Sequence, residues 1–193
     1  MRKNSGASQI KIRAEFSFFA VLGFVLCTDS GGVSAMCLAA CFLHELGHIT
    51  VMFMLRRPPS AVTFCGGGIR ISGGSCGFAA VSAGVAVNLA LFAVFAVLPW
   101  EDNTLRLFGV INLLAAAFNL LPIGTLDGKR MLDIALKRAF SPSFAIKLSD
   151  ICEAVMLCLV IPSLFILVFS GFLNFSAVIF VIYVLAVEIL NKI

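Results

Sequence analysis

"CFLHELGHITVMFML", residues 41 to 55, sets His44, Glu45 and His48 inside a run that is otherwise apolar. A charged side chain within a bilayer costs about 2.5–3.5 kcal/mol on insertion scales, so ionisable groups kept in such a run mark function. The surrounding stretch, from Val33 to Leu55, has the length of a membrane span, which takes on the order of 20 apolar residues. Composition extends this reading to the whole chain. Of 193 residues, 61% are hydrophobic and 12% charged. A soluble domain is nearer half apolar and about a quarter charged.

Candidate spans fall at about 15–28, 33–55, 78–99, 104–123, 150–170 and 172–191, the first of them short. The first follows a basic N-terminal stretch, as in a signal peptide, but the remainder is not soluble, so the segment is read as a retained span. Between the second and third runs, Pro58 and Pro59 stop a helix and a glycine-rich stretch follows. Thr63, Phe64, Ile69 and Ile71 there suit short extended segments around the Gly66 to Gly68 turn. The alternating "IKIRAEF" at 10 to 16 is a candidate third strand. After the fourth run, residues 127 to 147 read as an amphipathic interfacial helix ending near Ser141 and Pro142. The expected fold class is therefore an all-α polytopic membrane protein. It has about six transmembrane helices and a small β-hairpin or sheet at the cytoplasmic membrane surface, all in one domain over residues 1–193.

With both termini on one side, every one of the 14 Lys and Arg residues except Arg106 falls on that side. Basic residues collect on the cytoplasmic face, which places both ends in the cytoplasm of a cell membrane, bacterial by expectation. The net charge of +4 is too dispersed for nucleic acid. The seven cysteines include no CxxC pair, and an odd number argues against a full disulfide framework. They read as small apolar side chains at helix contacts.

His44 and His48 are four residues apart, so on a helix both imidazoles project from one face and can grip a single metal ion. Glu45 lies to the side of that pair, placed to take a proton from a metal-bound water. The alternative is a polar cluster that joins helices by hydrogen bonds. Catalytic zinc usually takes three protein ligands and leaves a fourth position open. The chain has only two histidines, so the third ligand is a carboxylate or a thiolate. Asp127 is the favoured carboxylate, because Pro122 and Gly124 break the helix before it, and irregular backbone at membrane depth must be buried in protein or line a wet cavity. Asp133 competes from what looks like a solvated face. Cys37 and Cys41 share the histidine face within about 60°, and of these Cys41 could reach the ion. His48 lies eight residues before Arg56, so the ion would sit roughly 12 Å below the cytoplasmic surface.

"HELGH" in the second run, "SAGVAVNLALF" in the third and "NLLPIGTLDGKR" after the fourth resemble, in that order, the core motifs of the site-2 protease family of intramembrane zinc metalloproteases. The likeness covers residues 10 to 135 and is nearest to the compact bacterial branch that includes the stage IV sporulation protease. It implies Zn2+ held by His44, His48 and Asp127, with Glu45 as general base. Asn88 would match the asparagine of the middle motif, with a substrate-positioning or oxyanion-stabilising role, or else a helix-packing one. Asn119, in the "NLLP" phrase, would support the Asp127 loop. Two positions depart from the pattern: Val85 stands where proline is common, and Lys129 where glycine is common.

The resemblance implies hydrolysis of peptide bonds in or near transmembrane segments of membrane-bound substrates, as in regulated intramembrane proteolysis, with a regulatory membrane protein as a further partner. A locally unwound substrate could add as a strand to the sheet at 62 to 72. A metal transporter is the main rival, and a non-catalytic escort of membrane proteins is another. Transport needs a polar path open to both sides, whereas the polar residues gather in one half and the fifth and sixth runs read as chemically inert.

Overall fold

The computed structural model describes residues 10–28, 32–65, 68–73, 77–97 and 101–170. The sixth expected span, at 172–191, lies outside the described residues. The chain divides into two compact units, Met1–Asn112 and Leu113–Ile193.

In the first unit, strand β1 (Lys11–Ala14) leads into helix α1 (Phe16–Thr28) and helix α2 (Val33–Met54). Strands β2 (Ala61–Cys65) and β3 (Gly68–Ser72) follow, then helix α3 (Phe78–Phe92), which continues through a π-type turn over Ala93–Val97. The sheet order is β1-β2-β3. β1 pairs parallel to β2 with Lys11 opposite Ala61, and β2 pairs antiparallel to β3 with Ala61 opposite Ser72. The expected hairpin and its third strand are both present.

The prolines at 58 and 59 do not themselves end α2. Arg56 takes a left-handed conformation at φ 56°, its N–H donates to Phe53 O, and that of Arg57 donates to Met52 O. This pair of bonds is a Schellman closure, which absorbs the last carbonyls before the prolines begin. Along α2, the Thr50 hydroxyl donates to Leu46 O at 2.7 Å, so its polar group needs no water.

Helix α4 (Asn103–Asn119) starts at Asp102, whose Oδ1 accepts the Thr104 N–H at 2.7 Å. That bond holds the exposed Asp102 carboxyl below the usual carboxylate range. Gly109 lets α4 approach the π-type turn of α3: a Cβ there would stand 2.6 Å from Ala96 N.

In the second unit, helix α5 (Asp127–Ala139) precedes helix α6 (Pro142–Phe169). Asp127 in the first turn of α5 and Lys137 and Arg138 in its last suit the helix dipole. The expected interfacial helix thus ends at Ala139, close to the stop at Ser141 and Pro142 that the sequence suggests. Proline is favoured at the first position of a helix, and Pro142 opens α6 eight residues ahead of the expected span. Ile123 and Leu126, in the irregular segment between α4 and α5, are buried against Phe118, Leu121, Met156, Leu157 and Val160.

Two described helices, Val33–Met54 and Phe78–Ala96, are long and apolar enough to cross a membrane. The surface has the matching polarity. Phe42, Phe53, Leu114, Ile151 and Phe165 are exposed, while His44, His48, Asn88, Asn112, Lys129 and Glu153 are buried. Large exposed apolar side chains beside buried polar ones suit a lipid surrounding. Cys27, Cys37, Cys41 and Cys158 are also exposed.

Candidate metal centre

The centre starts on α2. Four residues of helix bring His44 and His48 to one face, with ring centroids 4.8 Å apart and Nε2 atoms 3.1 Å apart. Two nitrogens each about 2.0–2.1 Å from one tetrahedral ion would lie roughly 3.3 Å apart, so the imidazole pair fits zinc. His44 is 3% exposed. His48 Nδ1 donates to Ala80 O at 2.7 Å, which turns its Nε2 towards His44. Glu45, next along the helix, is half-buried.

Helix α3 makes room for the pair. A Cβ on Gly84 would lie 2.5 Å from His48 Nε2 and 2.6 Å from His44 Nε2. Gly47 on α2 does the same for the backbone, since a Cβ there would meet Val87 Cγ2 at 2.8 Å and Ala83 O at 3.0 Å. Asn88, one turn beyond Gly84, is fully buried with its amide 3.3 Å from His44 Nδ1. Val85 is also buried on α3.

His44, His48 and Asp127 form a group of buried side chains that could hold a metal ion, their ligand atoms all within 4.8 Å of one another. Two imidazoles and a carboxylate are a donor set suited to catalytic zinc with a position left open. Cys41, exposed one turn earlier on α2, is outside this group. Asp133 is also outside it: half-buried rather than solvated, it accepts the Ser149 hydroxyl. The side-chain amide of Asn119 donates to Ala115 O on its own helix at 3.0 Å.

The segment that carries Asp127 is held by residues the sequence reading missed. Gly124, at φ 57°, donates its N–H to Glu153 Oε1 at 2.9 Å. Glu153 Oε2 faces Lys129 Nζ at 3.0 Å, and both side chains are under a tenth exposed. Lys129 also reaches Asp150 at 3.4 Å. Helix α6 was expected to be inert, yet its Glu153 closes on both flanks of Asp127. The signal was present in "SDICEAVML", where a carboxylate interrupts an apolar run. Glu153 and Asp150 thus balance the buried charge of Lys129. Lys129→Met, which removes the cation facing Glu153, is expected to cost about 3–5 kcal/mol of stability. Lys129→Met with Glu153→Gln is expected to recover most of it, as read by denaturant unfolding in detergent micelles. Equal losses in the single and double variants would show that the pair is not coupled.

The Peptidase family M50 model matches residues 100–163, which include Asp127, Lys129 and Glu153. Among solved structures, the chain is similar to the site-2 protease from Methanocaldococcus jannaschii with a TM-score of 0.65 and 17% identity, covering 95% of this chain and 92% of that one. The chain has the site-2 protease fold. No curated protein matches it. The family model and the fold bear out the resemblance to the site-2 protease family that the three motifs carry, although "HELGH" itself lies outside residues 100–163. Site-2 proteases are embedded in membranes, and the two long apolar helices of this chain fit that setting.

Proposed function

We propose that the protein is an intramembrane zinc metalloprotease that hydrolyses peptide bonds in or near the transmembrane segments of membrane-bound substrates. The observation that carries this reading is the burial, among apolar helices, of two imidazoles whose Nε2 atoms converge, with the Asp127 carboxylate in the same ligand group. The fold and family model support it.

Zinc, when bound, supplies Lewis acidity at the scissile carbonyl and a water of lowered pKa. His44, His48 and Asp127 are the residues that would hold it, and Gly84 leaves them space. Glu45 takes the proton of the attacking water and delivers it to the leaving amine. The surrounding apolar side chains limit bulk water and strengthen each of these electrostatic contacts. A helical substrate hides its carbonyls in internal hydrogen bonds, so it must unwind before cleavage. β3, at one edge of the sheet, offers backbone groups on which an unwound stretch could align. Six spans, both termini in the cytoplasm and a site nearer that side are the arrangement that the apolar runs and the lysine and arginine bias support, with a bacterial cell membrane as the expected setting. A regulatory membrane protein as partner belongs to the same proposal.

Zinc removal tests the reading. Purified protein is reconstituted with solubilised membrane proteins, and new peptide N-termini are mapped by mass spectrometry. Termini within or beside apolar segments should appear with the zinc-loaded protein, vanish with a chelator and return when zinc is restored. Products unaffected by chelation would sink the assignment. Zinc flux into proteoliposomes without any new termini would favour the transporter.

A further inference from the structure

The hydrogen bond that fixes the tautomer of His44 has a partner not yet assigned. A neutral imidazole that ligates through Nε2 keeps its proton on Nδ1, so each metal-binding histidine needs an acceptor behind its ring. His48 has one in the carbonyl of Ala80. Behind His44 stands the amide of Asn88, 3.3 Å from Nδ1. With the amide nitrogen facing a protonated Nδ1, two donors would oppose each other. The Asn88 oxygen, buried and without a hydrogen-bond partner in that orientation, would be wasted as well. Turning the amide end for end exchanges oxygen and nitrogen with no change of shape.

We propose that Asn88 is a positioning residue for zinc: its Oδ1 accepts the Nδ1 proton of His44, which selects the tautomer that directs the Nε2 lone pair at the ion. This rests on the zinc site proposed above. It differs from a role at the substrate carbonyl, in which the amide would touch the reacting atoms. The placement follows from the helix pair. Gly84 brings the α3 backbone against the imidazoles, and a side chain one turn further along α3 then reaches the back of the His44 ring.

The test measures metal binding rather than turnover. Zinc affinity is read by competition with a chromophoric chelator, and Co2+ is used as a spectroscopic substitute, in wild type, Asn88→Leu and Asn88→Asp. Asn88→Leu keeps the volume and removes the acceptor, so zinc affinity should fall on the order of 10–100-fold and the Co2+ spectrum should change. Asn88→Asp keeps an acceptor and cannot donate, so it should bind zinc at least as tightly as wild type. Should Asn88→Leu fail to fold, Asn88→Asp decides alone, because loss of affinity there would mean that the amide acts as a donor to His44. Unchanged affinity and spectrum in Asn88→Leu, with only turnover reduced, would overturn the assignment in favour of substrate contact. Wild-type protein that binds no zinc would instead defeat the metalloprotease reading itself, so the two failures are distinguishable.

Discussion

Glu45→Gln is expected to lower peptide-bond cleavage by on the order of 10²–10⁴-fold while one zinc stays bound per chain. The argument is one of position. His44 and His48 share a face of α2, and Glu45, one residue on, points about 100° away from His44. It is therefore beside the ligand pair and outside the ligand group. Glutamine has nearly the same volume and can still accept a hydrogen bond, but it cannot take up a proton from water at neutral pH. Metal content, measured on the same preparation as product formation, separates loss of the base from loss of the site. Turnover equal to wild type would remove Glu45 from the mechanism. Loss of both zinc and turnover would show that the carboxylate helps to hold the ion.

Gly84→Ala is expected to leave the helices folded and to weaken zinc binding on the order of 10–100-fold, the range typical of disturbed ligand support. Its added methyl would stand 2.5 Å from His48 Nε2 and 2.6 Å from His44 Nε2, inside any permissible contact. Both atoms are the tips of side chains, so the strain is relieved by rotating imidazoles rather than by parting helices. The ligand nitrogens therefore move first. Gly47→Ala is the useful comparison. There the obstacle includes the Ala83 carbonyl at 3.0 Å, so the helix pair itself must give way. Gly84→Ala should show near-normal thermal unfolding of the zinc-free protein with poor zinc retention, and Gly47→Ala the reverse order of effects. Normal zinc affinity in Gly84→Ala would mean that the imidazoles have slack that the close approach does not indicate.

Much of the centre was legible in the chain itself because its logic is local. A helix carries side chains four residues apart on one face, so "HELGH" declares paired imidazoles and an offset carboxylate wherever it is helical. Pro122 and Gly124 declare a break, and the irregular segment at 120–126 follows. Alternation in "IKIRA" and in the stretch after Pro59 declared strands, and those strands pair. Other readings erred where a local rule met a longer-range contact. Asp133 looked solvated on its amphipathic helix, but Ser149 of α6 meets it. The fifth run read as inert, but its Glu153 meets Gly124 and Lys129.

Sequence alone determined that most of the chain lies in long apolar runs, that two histidines and a glutamate interrupt one of them, and that a bent segment follows the fourth. Each is a matter of residue type and spacing, which hydropathy and helical geometry convert directly into structure. Only the tertiary structure decided what stands behind and against those residues: Ala80 and Asn88 at the far sides of the imidazoles, Gly84 at their near side, and Glu153 across the bend. In a membrane, apolar surface drives no particular choice of helix face. Which small residue meets which ring, and which buried charge meets which amide, is settled by close packing and by the cost of leaving a polar group unsatisfied in lipid.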